Sequence, residues 1–177
     1  MTILKVPYFS QRDSATSQGG RMCFSSSCAM LLESLKPGTL NGLNGDDQYL
    51  ARVRRFGDTT EAAAQLQALA SYGVKARFVQ DATWATIEGQ ISRGIPVPIG
   101  MLHHGPVTAP SGGGHWILAI GHDRDAIIVH DPYGDLDLVR GGYLSTKGAA
   151  LRYSRRNLGP RWMVDGPGTG WAIIAER

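Results

Sequence analysis

Three residues, far apart in the chain, have surroundings suited to chemistry: Cys23, His115 and Asp131. Cys23 opens a stretch in which Phe24, Cys28, Leu31, Leu32 and Leu35 recur at helical spacing until Pro37-Gly38 stops it. At the first turn of a helix, unpaired backbone N–H groups and the helix dipole favour a thiolate, which makes the sulfur a nucleophile. Cys28 sits about 140° further round the same helix, on the apolar side, and reads as a small core residue. His115 begins a strand directly after Gly112-Gly113-Gly114, and Asp131 follows a second strand, Ala126 to His130. A hairpin centred on Asp123 makes His115 and Asp131 facing partners with Cβ atoms roughly 5 Å apart. A carboxylate so placed accepts the Nδ1–H, fixes the tautomer and supports an imidazolium. With a thiol in reach, the set reads as nucleophile, general base and orienting acid; without one, it reads as a structural pair.

Other candidates are weaker. Gln11, in the polar segment Ser10-Gln11-Arg12-Asp13, reads by itself as a solvated amide, although a side-chain amide beside a nucleophile can stabilise an oxyanion. His103-His104 lie in a Gly/Pro-rich loop and read as solvated residues that could line a cleft. His122 and His130 flank the hairpin, and no pair of histidines or cysteines has metal-ligand spacing, so neither a metal nor another cofactor is expected. The run Ser25 to Ser27 lacks the strand–turn–helix setting of a serine nucleophile. Arg152, Arg155, Arg156 and Arg161, interleaved with Tyr153 and Trp162, could grip an anionic polymer, but a solvated face is the simpler reading. No nucleic-acid-binding motif accompanies them, and nucleic acid is not expected as a partner.

The elements that must position these residues follow from periodicity. Asp46 is expected to cap a helix running through Arg55. Asp58 and Glu61 form a capping-box pattern for a third helix, Thr59 to Ser71. A strand over Val74 to Val79 precedes a fourth helix capped by Thr83, which carries Trp84, Ile87 and Ile91 inward and ends at Gly94. Strand patterns follow at Pro96 to Met101, His115 to Gly121, Ala126 to His130 and Trp171 to Ala175. Helices first and strands later describe one α+β domain over residues 1–177, with helices on one side of an antiparallel sheet. The 177 residues suffice for one buried core, and a formal charge of +3 gives only a weak pull toward anionic surfaces. Cys23 and Cys28, five apart in one helix, are too distant for a disulfide, which suits a reducing compartment or a working free thiol. No stretch reads as a signal peptide or a membrane span, so synthesis in the cytoplasm is expected, with any action outside following release.

The segments Val6-Pro7-Tyr8-Phe9-Ser10-Gln11-Arg12-Asp13 and Cys23-Phe24-Ser25-Ser26-Ser27-Cys28-Ala29-Met30 resemble the opening of the C39-like cysteine peptidases. Gly114-His115-Trp116-Ile117 and His130-Asp131-Pro132-Tyr133-Gly134 resemble that family's histidine and aspartate motifs, in the same order. The resemblance implies a papain-like fold, amide hydrolysis, and the family's glutamine, cysteine, histidine and aspartate at Gln11, Cys23, His115 and Asp131. It departs at Phe24, where the family usually has glycine or asparagine after the cysteine, and no transporter segment accompanies the domain. The implied substrate is a peptide, above all the peptide part of bacterial peptidoglycan, as for an endolysin. The alternative is a binding module for cell wall or peptides whose catalysis is impaired, with Phe24 and the aromatic–arginine region as the features that permit it.

Overall fold

The computed structural model describes residues 1–176. Strand β1 (Thr2–Ile3) leads through a 3-10 turn (Gln11–Asp13) into helix α1 (Cys23–Leu35), followed by α2 (Gly45–Val53) and α3 (Ala62–Ser71). Strand β2 (Ala76–Ala82) precedes α4 (Trp84–Ser92); then come β3 (Val97–Met101), β4 (His115–His122) and β5 (Ala126–His130). A small β6 (Asp135–Leu136) and β7 (Tyr143–Ser145) ribbon, β8 (Leu151–Ser154), α5 (Arg155–Trp162) and β9 (Gly170–Ala175) complete the chain. The main sheet is antiparallel in the order β2-β9-β3-β4-β5-β8, with β1 added on β4. The C-terminal strand therefore sits inside the sheet, between β2 and β3.

β4 shows why the sheet carries helices on both faces. Trp116, Leu118 and Ile120 join the cluster built with α1, α2 and α3, including Leu31, Tyr49 and Leu69. Ile117 and Ala119 point the other way, into a cluster with Ile87 and Ile91 of α4 and Leu158 and Trp162 of α5. Successive side chains on a strand alternate faces, so a strand apolar throughout needs a cover on each side. The one-sided arrangement expected from the order of elements is corrected here: α4 and α5 cover the second face. The N-terminal helices pack on the first, as expected.

Two expected caps are replaced by other contacts. Asn44 takes the N-cap position of α2, and Asp46 is buried, accepting from Ser26 Oγ at 2.6 Å. Asp58 does not cap α3, which starts at Ala62 behind Glu61; it pairs with Arg21 at 2.9 Å and accepts from the Thr60 amide. The Thr83 cap forms as a reciprocal box with Thr86. In the arginine region Tyr153 and Trp162 are buried and Arg152 and Arg156 exposed, as the simpler reading has it; Arg152 pairs with Asp123, Arg155 with Glu88, and Arg161 is buried.

Candidate active site

The N-terminus of α1 meets the starts of β4 and of the loop after β5 at a cleft of about 560 Å³. Gln11, Cys23, His103, His115, Tyr133 and Tyr143 all contribute to its wall. Cys23 is half-buried at the first position of α1, where the N-cap residue Met22 offers no side-chain cap. Its neighbour Phe24 is only 2 % exposed and lies flat on the Trp116 ring, centroids 3.7 Å apart and planes 3° from parallel. Phe24 thus ties α1 to β4 from within the core. Cys28 is fully buried, and its thiol is pushed up by that burial, as befits an inert core residue.

His115 Nε2 lies 2.7 Å from Asp131 Oδ1, with both side chains buried. The expected geometry is right in the pairing and wrong in two details. β4 and β5 pair with Leu118 opposite His130 and Ala119 opposite Val129, shifting at Ile120 so that Gly121 faces Ile128. A bulge therefore displaces the register, and His115 and Asp131 meet as diagonal neighbours on one face, within reach of a long side chain. Asp131 also takes Nε2 rather than Nδ1, which leaves Nδ1 without the carboxylate. Burial works against a charge on His115, but the Asp131 carboxylate and hydrogen bonds to Asp131 and Cys23 outweigh it, raising its pKa to about 10.

Asp131 is itself held on several sides. Its Oδ1 accepts from the Tyr133 amide at 2.9 Å, and its Oδ2 from the Tyr153 hydroxyl at 3.3 Å. Its backbone carbonyl accepts from Tyr8 Oη, and its amide donates to Gly148 O. A side chain at position 148 would collide with that carbonyl, so glycine is needed there. His130 is structural: Nε2 donates to Val6 O at 3.0 Å, and Nδ1 accepts from the Ala150 amide at 2.9 Å.

Gln11 is 1 % exposed rather than solvated. Its Nε2 donates to Gly19 O at 2.7 Å, and its backbone amide donates to Pro132 O at 3.0 Å. The first bond fixes which end of the amide is the donor and leaves one N–H of Nε2 for a further acceptor. His103 and His104 also line the cleft, and the His103 ring stacks on that of His115. Tyr133, Tyr143 and Tyr153 surround the pair as well. The sequence reading gave none of the three a place at the site: Tyr133 stood only within the aspartate motif, Tyr153 only beside the arginines, and Tyr143 nowhere. Among the described residues, no three His, Cys, Asp or Glu converge as metal ligands.

The family model described as "Peptidase_C39 like family" matches residues 3–153, most of the chain. The chain belongs to that family. A C39-like peptidase structure from Bacillus anthracis superposes with a TM-score of 0.67 at 15% identity, covering 100% of this chain and 98% of the other. A double glycine motif protease from an AMS/PCAT transporter, in complex with its leader peptide, gives 0.56 at 16% identity over 98% and 93%. The peptidase domain of Streptococcus ComA, a bifunctional ABC transporter of a quorum-sensing pathway, gives 0.56 at 16% identity over 88% and 91%. No curated protein matches the chain significantly. The C39-like membership and the mixed helix and antiparallel-sheet architecture make this a cysteine peptidase of papain-like fold. Among its described residues, no helix is long and apolar enough to cross a membrane.

Proposed function

We propose that this C39-like peptidase hydrolyses an amide bond with Cys23 as nucleophile, His115 as acid and base, and Asp131 orienting His115. The observation that carries the reading is His115 itself, buried in the wall of the cleft that Cys23 also lines, with Asp131 at its Nε2. The Cys23 sulfur attacks the amide carbonyl carbon, and its proton resides on His115. Negative charge moves to the carbonyl oxygen, where the remaining N–H of Gln11 Nε2 and the first-turn amide of α1 can receive it. The C–N bond breaks as His115 gives its proton to the leaving amine, leaving a thioester on Cys23. Water, deprotonated by His115, attacks that thioester and releases the acid and the free thiol.

The substrate proposed first is the peptide part of bacterial peptidoglycan, on the strength of the family resemblance and the modest positive charge. Loss of turbidity of purified cell walls, measured with the wild type and with Cys23→Ala, tests it. Clearing by the wild type alone supports both mechanism and substrate, and clearing by neither rejects the wall as substrate. The impaired-module alternative drew on Phe24, which lies in the core, and on an arginine region that is largely paired or buried.

A second substrate reading has an observation of its own. An apolar pocket of about 270 Å³, walled by Met101, Trp162, Val164 and Trp171, shares Gly114, Trp116 and Trp171 with the cleft. Trp171 is 47% exposed, although it belongs to a central strand. Such a wall fits a large apolar side chain of a linear polypeptide. Peptides with leucine or phenylalanine near the scissile bond should then be cut about 10- to 200-fold faster than alanine counterparts. Trp171→Ala should shrink that preference; equal rates across the series would reject the pocket as a subsite.

A further inference from the structure

One histidine in the cleft has no part in the chemistry just proposed and is nevertheless held with unusual care. The His103 ring stacks on the His115 ring, centroids 4.8 Å apart and planes 12° from parallel. Its Nδ1 lies 3.0 Å from Tyr143 Oη. Tyr143 and Tyr133 stand edge-on to His115, at 83° and 81°, so the imidazole is boxed by three rings. The backbone on both sides of His103 is fixed as well. Buried Arg161 donates to Leu102 O at 3.2 Å, His104 O at 3.1 Å and Gly105 O at 2.7 Å. His104 and Ser111 exchange two backbone hydrogen bonds of 2.9 Å each. A solvated loop histidine needs none of this.

The contacts also define its protonation. Burial holds the Tyr143 phenol well above its ordinary range, so its hydroxyl keeps a proton that it can donate to His103 Nδ1. The proton of the neutral ring then sits on Nε2. Burial, followed by the charges of His115 on β4, His104 on the same loop and Arg161 on α5, pulls the pKa of His103 down to about 3. Tyr133 and Tyr143 are the other titratable groups against this pair of rings, with Cys23 and Asp131 on the far sides of His115.

We propose that His103 is a positioning residue: a neutral imidazole, set by Tyr143, lies on the His115 ring and keeps it in plane between Cys23 and Asp131. The inference rests on the function proposed above. His115 must accept and release a proton without swinging away from either partner. A neutral ring on its face stabilises the cationic form, keeps water from that face and blocks rotation, whereas a cation there would repel it.

The test follows the His115 ring titration by NMR in the intact protein and, alongside it, kcat and KM on a peptide that the wild type cuts. In His103→Ala the His115 titration should fall by about one pH unit or more. In the same variant kcat should drop about 10-fold or more with KM little changed. His103→Phe, which retains a stacking ring, should recover most of both. Tyr143→Phe removes the donor to Nδ1 and should make His103 titrate at a higher pH, with activity lost on the acid side where the wild type keeps it. If His103→Ala leaves the His115 titration unmoved, or His103→Phe shifts it as far as alanine does, the inference is overturned. Should the alanine variant fail to fold, an unmoved His103 titration in Tyr143→Phe overturns it instead. The parent reading fails separately, if Cys23→Ser leaves the wild-type His115 titration unchanged.

Discussion

At the scale of single residues, the site is an exercise in keeping one imidazole charged where burial disfavours charge. His115 is 2 % exposed, a setting that alone would strip its proton, yet its pKa is raised to about 10 by Asp131 and Cys23. The sign of the linked stability follows from that direction. An unfolded histidine titrates near 6.5, so the stabilisation is complete below that pH and is lost as pH rises toward about 10. Asp131→Asn can keep the hydrogen bond to Nε2 while removing the charge. Denaturant unfolding of both proteins from pH 6 to 10 should show a decline in the wild type that the variant lacks. Equal slopes would mean that the carboxylate charge is not what holds the proton.

At the scale of elements, the same opposition of burial and charge appears where α1 packs on α2, without any role in the cleft. Asp46 is fully buried, and burial raises its carboxyl to about 6, more than its bond from Ser26 lowers it. A raised carboxyl pKa means that the folded state binds the proton more tightly than the unfolded chain does. The contribution of Asp46 to stability is therefore complete at low pH and declines as pH climbs from about 4 through about 6. Asp46→Asn should remove that decline and stabilise the protein at pH 7 by about 3 kcal/mol. Melting temperatures at pH 4 and 7 measure it, and a variant less stable than the wild type at pH 7 would show that the charged form is supported after all. Asp46 also marks where the sequence could be read and where it could not. α1 was legible to the residue, because its heptad-like apolar stripe and Pro37-Gly38 stop are local signals. The caps at Asp46 and Asp58 were misread because Ser26 and Arg21, distant in sequence, compete for the same carboxylates. The β4–β5 hairpin was legible as a pair of strands, but the shift beside Ile120 leaves no trace in an all-apolar run. Cys23, His115 and Asp131, the triad proposed here, were singled out from their settings in the sequence and from motif order. His103 was legible only as a residue that could line a cleft; its stacking on His115 and the approach of the Tyr143 ring depend on contacts between segments distant in sequence.

At the scale of the whole molecule, the cleft depends on a side chain that never reaches it. Arg161, on α5, is 0 % exposed and donates to four carbonyl oxygens, those of Leu138, Leu102, His104 and Gly105. These belong to the two loops that bring His103 and Tyr143 to His115, so one guanidinium joins a late helix to the wall of the site. The opening of the Leu102–Gly114 loop is thereby clamped rather than free to lift. No carboxylate lies within ion-pair distance of Arg161 among the described residues; carbonyl dipoles take that place, using the planar fork of donors that lysine lacks. Arg161→Leu leaves four carbonyls without their donor, and unsatisfied buried groups cost about 1–3 kcal/mol each before relaxation. A net loss of about 3–5 kcal/mol is expected, or a fall in Tm on the order of 10 °C for a domain of this size. Arg152→Ala is the control: its pair with Asp123 is solvent-screened, and its loss should move the melting temperature little. Calorimetry of the two variants separates the cases. If Arg161→Leu melts no lower than Arg152→Ala, the clamp does not hold the loops, and the stacked rings must be kept in place by their own packing.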